Sequence, residues 1–472
     1  MIPIHTNEAT GSSALLVRVL FAACLAPPLA ALHLEPAASF PVSGHLQQHG
    51  AVDVTVSKLG DGTVRNPYVL NVELGGQKLI LVPDTGSFSL VVSSKRCSTD
   101  ICPVRTFDPD LSPTYQGLAG TKEIHYVSGS VSMKAASDEF RLLGSTKKMT
   151  FWEVVAMGKR YSDLAKRINY DGILGMPWVK SVPGKESIHE TTVLELFGVK
   201  AFTVCIGKRT IRPNFGGVHM TPSFIYWAPP GSLHWPSVAS IEVVGKEHWA
   251  VSLSDAAVVH RDDKVVRQFA CFGSEKCVAL IDTGAKINTV PSHVFDAFLV
   301  QLGGPVKRDC SNFERLPDLH FRLGDVDIVI PRRAYVKRQS ISLLAKDGKA
   351  DHCDFLFERA DALVDGVYTW ILGVPFFQEF VVEFDRSTSP ARINLSPNPG
   401  AVDGDGSICP SEAPVKGAST APAGSTGSLL HHGAILQKTQ EITQRSGASH
   451  VSIPANVSNI QRQQQRQQQQ QQ

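Results

Sequence analysis

The chain has 472 residues, of which 43% are hydrophobic and 19% charged, and its formal net charge is +2. This composition excludes a mainly disordered chain, and the length allows one or two large lobes. The near-neutral balance gives no electrostatic basis for binding nucleic acid or a membrane surface, and 38 Gly with 29 Pro favour a turn-rich β protein over a helical bundle.

In chain order, the first feature is the run ALLVRVLFAACLAPPLAAL over 14–32, apolar apart from Arg18, with small residues near Pro28 to Ala31. Residues 1–32 read as a signal peptide, against the competing reading of a short membrane anchor or a tail. No later stretch reaches the roughly 18 uninterrupted apolar residues of a spanning helix. Residues 33–65 precede the first clear strand pattern and form a possible prosegment, with only Lys58 and Arg65 as basic residues.

From Asn66 to Leu395 the pattern is β-rich. Runs such as YVLNVEL, KLILV, SLVV, VVEF and ARINL are short, apolar or alternating, and mostly bounded by Gly, Pro or Asp. Helical patterns are few, the best being Ser162–Asn169 and His293–Leu302. An internal repeat organises this span. LILVPDTGS (79–87) and VALIDTGA (278–285) each run an apolar strand into Asp-Thr-Gly, and in each case Ile-Leu-Gly begins 89 residues after the Asp. One such triplet is common by chance, but two matched pairs at the same spacing are not. The reading is an all-β fold of two related lobes, 66–235 and 236–397, joined through the Pro-rich stretch from Ala228 to Pro236. Residues 398–472 contain no Phe, Trp or Tyr and end in QRQQQRQQQQQQ, so this tail reads as disordered. Asn394 and Asn456 begin glycosylation sequons by pattern only.

The nine cysteines suit an oxidising compartment. Cys24 leaves with the signal peptide. Cys97 with Cys102 and Cys271 with Cys277 fit small disulfide loops, and Cys310 with Cys353 a larger one. Zinc is the competing reading of the close pairs, but no His stands at finger spacing beside them. Cys205, in the apolar run AFTVCIG, reads as a buried free thiol, and Cys409 is left over in the tail.

The two Asp-Thr-Gly turns carry the chemistry. An ionised Asp after four apolar residues is costly to bury unpaired, and a following Gly lets the backbone turn tightly and offer its N–H. If a pseudo-twofold axis relates the lobes, Asp84 and Asp282 face one another and share one proton. The charged member can then act as general base on a water, while the protonated member polarises a carbonyl. This chemistry calls for no metal and no cofactor.

With these motifs in hand, residues 66–397 resemble a pepsin-family aspartic protease. DGILGMPW (171–178) and WILGVPFFQEFVVEFD (370–385) match the segments that pack beneath the catalytic loops in that family. The resemblance implies Asp84 and Asp282 as catalytic residues, with Thr85, Gly86, Ser87, Thr283, Gly284 and Ala285 in their loops. It also implies a flap hairpin at EIHYVSGSVSM (123–133), with Tyr126 as the flap tyrosine and Ser128 and Gly129 at its tip. Cys97/Cys102 resembles a family disulfide, and Cys271/Cys277 is a looser match. Several residues depart from the family pattern. Pro83 replaces a bulky residue, Val91 a Trp that bonds the flap Tyr, Val127 a flap Gly, and Ala285 a hydroxyl residue supporting the second aspartate. The expected activity is peptide hydrolysis by a secreted or endolysosomal monomer, acting on protein or peptide substrates. The competing reading is an inactive protease fold that binds peptides or proteins.

Overall fold

The computed structural model describes residues 44–49, 52–60, 68–97, 102, 105–126, 129–158, 170–181, 190–207, 209–212, 217–220, 222–235, 237–260, 266–273, 275–340, 351–398 and 409–414. The chain divides into two units, 1–421 and 422–472, and every described residue belongs to the first. The expected signal peptide, the 162–169 helix pattern, Val127, Ser128, the sequon at Asn456 and the Gln-rich end lie outside the described residues.

The fold is all-β and bilobal, with few short helices. The first lobe is a seven-stranded sheet ordered Leu70–Leu74, Gln77–Asp84, Gly172–Gly175, Leu90–Ser93, Ser145–Met157, Gly129–Leu142, Gln116–Tyr126. Alternation places the side chains: Leu70, Val72 and Leu74 are buried, while Asn71 and Glu73 are less so. The second lobe repeats the plan in a nine-stranded sheet that includes Ala250–Val259, Cys277–Ile281, Val367–Leu372 and Asn288–Val290. The helix expected over 293–302 is present as Ser292–Gln301, and it buries Val294, Phe295 and Phe298.

A third sheet takes strands from both halves of the chain. Its order is Gly44–His49, Val52–Leu59, Ser223–Trp227, Ala201–Cys205, Phe380–Asp385, Arg392–Pro397, Ala239–Glu242. Phe202 of the first half stacks on Phe384 of the second, with centroids 4.9 Å apart. Trp249 meets Phe384 edge-on and donates its indole N–H to the Met176 carbonyl at 2.8 Å. Arg386 adds a polar tie. Its buried guanidinium donates to the carbonyls of Trp178 and Val199 and to the Glu195 carboxylate.

Two features differ from the sequence reading. Residues 52–59, inside the possible prosegment, form an interior strand of the third sheet, with Val54, Val56 and Leu59 buried. Cys205 is not a free thiol: it is bonded to Cys409 across 204 residues of sequence. The tail therefore does not leave the fold at Asn398. Cys409 and Ala413 are buried in an apolar cluster with Val54, Val56 and Tyr226, and the Tyr226 hydroxyl donates to the Pro410 carbonyl at 2.6 Å. The tail's composition cannot sustain a core of its own. A covalent link to the central sheet supplies the anchoring that apolar burial does not. The other three disulfides join Cys97–Cys102, Cys271–Cys277 and Cys310–Cys353. Glu275 lies beside the Cys271–Cys277 pair. With both sulfurs bonded to each other, the group lacks the thiolates that a zinc site needs.

Replacing Cys205 and Cys409 together by Ser should lower stability by about 2–5 kcal/mol, the usual loss for a native disulfide. Denaturant melts of the oxidised proteins measure it. Non-reducing peptide mapping of the unaltered chain should recover the 205–409 pair, and an unlinked Cys409 peptide would contradict the assignment.

Candidate active site

Asp84 is the last residue of the strand Gln77–Asp84, which is rooted in the first core by Leu79, Leu81 and Val82. Asp282 directly follows Cys277–Ile281, rooted by Ala279, Leu280 and Ile281. Each strand has a parallel partner, Gly172–Gly175 or Val367–Leu372, whose end falls in an Ile-Leu-Gly triplet. Val82 pairs with Ile173 and Asp84 with Gly175; in the second lobe Leu280 pairs with Ile371 and Ile281 with Leu372. The glycines of those triplets are sterically required. A side chain at Gly175 would strike the backbone of Phe88 and Ser89, and one at Gly373 the carbonyls of Ala285 and Ile287. The Ile-Leu-Gly segments thus press directly against the loops that follow each Asp.

The two turns are brought together and cross-bonded. The Thr85 N–H donates to Thr283 Oγ1 at 3.1 Å, and the Thr283 N–H donates to Thr85 Oγ1 at 3.0 Å. Each hydroxyl then donates across the interface, Thr85 to the Ile281 carbonyl and Thr283 to the Pro83 carbonyl, both at 2.7 Å. Gly86 and Gly284 donate their N–H groups to Oδ1 of Asp84 and Asp282, at 2.9 and 2.8 Å. They also leave room for the opposite acid. A Cβ on Gly86 would lie 2.6 Å from Asp282 Oδ2, and one on Gly284 2.5 Å from Asp84 Oδ1.

Both carboxyls are buried, at 0% and 1% exposure, and they lie within hydrogen-bonding reach of each other. Burial, the negative charge of Asp84 and the hydrogen bond to it push the Asp282 carboxyl up to about 7, against the smaller opposing effect of the Gly284 N–H. Asp282 therefore holds a proton well above the range of an exposed carboxyl. Such a pair can hold one proton and one charge around a small polar guest.

The surrounding residues divide clearly. Ala285 packs on the apolar group Leu280, Ala362 and Ile371 and, as alanine, offers Asp282 no hydroxyl. Ser87 is buried, and its hydroxyl finds no hydrogen-bond partner among the described residues. Lys286, one residue on from Ala285, is exposed on the surface but partly desolvated, which lowers its pKa. Val91, where the family pattern has Trp, packs instead beside Trp152, its register partner. The strands Gln116–Tyr126 and Gly129–Leu142 form the expected hairpin, with Tyr126 opposite Gly129. Ser128 and the side chain of Tyr126 lie outside the described residues.

Tyr170 was not singled out in the sequence. Burial and the charge of Asp84 push its phenol up to about 12, so the ring stands near the dyad and stays protonated. Its sequence signal is a single aromatic residue immediately before DGILG.

Comparison with known proteins points to one family. A family described as "Eukaryotic aspartyl protease" matches residues 67–397. Pepsin A of Gallus gallus is 26% identical over 344 residues, covering 68% of this chain and 81% of that protein. Cathepsin E of Rattus norvegicus is 26% identical over 346 residues, covering 70% and 79%. A pregnancy-associated glycoprotein of Equus caballus is 27% identical over 344 residues, covering 70% and 80%.

The raised Asp282 carboxyl makes stability depend on pH. Between its ordinary value of 3.8 and about 7 the folded chain holds a proton that the unfolded chain has released. Stability from this group is therefore present at low pH and falls as pH rises through that window, by up to about 1.4 kcal/mol per unit. Asp282→Asn removes the effect. The stability of the variant relative to the unaltered chain should grow from pH 4 to pH 7 and then level off. Urea melts at pH 4, 5.5 and 7 measure it, and a constant difference would contradict the raised pKa.

Proposed function

The chain belongs to the eukaryotic aspartyl protease family, and from that premise we propose that it is an active aspartic endopeptidase using Asp84 and Asp282. The observation that carries this reading is the paired burial of the two carboxyls, with the Asp282 carboxyl pushed up beside Asp84 so that it holds its proton. In the proposed reaction Asp84 takes a proton from a water while Asp282 donates its own to the carbonyl oxygen of the peptide. The water oxygen bonds to the carbonyl carbon and a gem-diol forms. Its collapse breaks the C–N bond: the proton held on Asp84 passes to the leaving amine, while one diol hydroxyl returns its proton to Asp282 and becomes the carbonyl of the product carboxyl. The dyad then again holds one proton. The crossed threonine bonds favour this route because the two carboxyls need no rearrangement before the chemistry.

The substrate is an extended segment of a peptide or protein, held in part by backbone pairing to the hairpin that carries Tyr126. That hairpin closes over the bound segment and excludes water. The apolar run at 14–32 and the disulfides support a secretory route, to the extracellular space or an endolysosomal compartment. Both Asp-Thr-Gly turns are in one chain, so a monomer suffices. Acid-triggered trimming before Asn66 fits the family. The interior strand Val52–Leu59 favours cleavage upstream of it, since removing it would strip a strand from the central sheet.

Asp84→Asn and Asp282→Asn should each abolish cleavage of a peptide library at acid pH while the chain stays folded by circular dichroism. A statine-containing peptide should inhibit the unaltered chain, because its hydroxyl occupies the position of the attacking water. A folded chain that cleaves nothing yet binds the same peptides would support the inactive binding module instead.

Ala285→Thr tests the alkaline side. A hydroxyl donated to Asp282 favours its charged form by about 1.5–3 kcal/mol, on the order of one pKa unit or more. The alkaline limb of kcat/KM should move to lower pH by about one unit. An unmoved limb would show that the new hydroxyl does not reach Asp282.

A further inference from the structure

The first Asp-Thr-Gly turn leaves the site through Ser89 and the strand Leu90–Ser93. Ser89 is fixed on two sides. Its carbonyl accepts the Gly175 N–H at 3.1 Å, and its hydroxyl donates to Glu190 Oε2 at 3.1 Å. The same carboxylate oxygen accepts the indole N–H of Trp152 at 2.9 Å. Trp152 and Glu190 are buried, at 1% and 4% exposure. Both donors converge on one oxygen, Oε2, of a carboxyl that would be costly to bury without them.

Trp152 also faces the hairpin. Its register partners are Val91 on the exit strand of the turn and Ala135 on the returning strand of the hairpin. Its ring belongs to an apolar cluster with Met133, Ala135 and Val154, and Lys122 of the outgoing hairpin strand lies 5.2 Å above it. One side chain thus touches both strands of the hairpin and, through Glu190, ties to the residue five positions after Asp84.

We propose that Trp152, Glu190 and Ser89 are positioning residues that fix the first Asp-Thr-Gly turn relative to the hairpin. The proposal rests on the protease reading for its effect on turnover. Its structural content stands on the hydrogen bonds alone. The tie keeps the loop after Asp84 pressed onto Gly175, so the carboxyl stays aligned when the hairpin moves. Trp152 and Glu190 are buried and act on the turn through Ser89, so loss of the tie should lower kcat more than it raises KM.

The experiment compares Trp152→Phe, Ser89→Ala, Glu190→Ala and Glu190→Gln in the full chain. Trp152→Phe keeps an aromatic ring and removes the N–H. Glu190→Gln keeps a carbonyl oxygen able to accept both donors. Trp152→Phe and Glu190→Ala should each lower kcat about tenfold, the equivalent of one lost hydrogen bond of about 1.4 kcal/mol. KM should change less than twofold. Ser89→Ala should fall in the same direction. Glu190→Gln should retain at least half of kcat, and the double variant Trp152→Phe/Glu190→Ala should be no worse than Glu190→Ala alone.

Amide hydrogen exchange over residues 85–92 provides a second readout that needs no activity. It should speed up about tenfold in Glu190→Ala and Trp152→Phe but not in Glu190→Gln. Exchange unchanged in Trp152→Phe, or Glu190→Gln as damaged as Glu190→Ala, would overturn the positioning role. If the unaltered chain cleaves no peptide, the protease reading fails while exchange still decides whether the tie exists. If it cleaves and every variant keeps its kcat, the protease reading survives and the positioning role does not.

Discussion

Burying two carboxyl groups side by side is unfavourable twice over, because each loses water and each opposes ionisation of the other. The structure around Asp84 and Asp282 is organised to impose that placement. Each acid ends an apolar strand that cannot withdraw without exposing its own core residues. Each turn is then tied to its counterpart by crossed threonine bonds rather than by anything the acids themselves supply. The outcome is a proton retained on Asp282 to about 7, a property of the pair and not of either strand alone.

Supporting layers extend outward from this constraint. The Ile-Leu-Gly segments meet the loops after each acid backbone to backbone, which is why glycine stands at Gly175 and Gly373. Below them the third sheet interleaves strands from both halves of the chain, with Phe202, Phe384 and Trp249 packed at its centre. Arg386 adds a buried polar tie between the halves. The lobes are thus joined through a shared sheet, and the register of the dyad is inherited from it.

How much of this was readable in the sequence depended on the range of each interaction. Strands such as Leu70–Leu74 alternate locally, and the Asp-Thr-Gly and Ile-Leu-Gly triplets recur at one spacing, so their roles are visible without coordinates. Ser89, Trp152 and Glu190 are not. Glu190 lies 38 residues from Trp152 and 101 from Ser89, in a stretch with no hydrophobic period. The Cys205–Cys409 bond spans 204 residues and joins an apolar strand to a segment whose composition argues against order. The alternation in VDVTV over 52–56 does mark a strand. Its sheet partner, Ser223–Trp227, lies far along the chain, so its place in the central sheet is not legible locally.

The central claim is that two buried carboxyls share one proton near neutral pH. Infrared difference spectra of the unaltered chain against Asp282→Asn, recorded from pH 4 to pH 8, count that proton directly through the carbonyl stretch of a protonated carboxyl. The account predicts one protonated carboxyl that persists at pH 6, disappears as pH passes about 7, and is missing in the variant. Loss of all protonated carboxyl signal by pH 5, as for exposed aspartates, would contradict it.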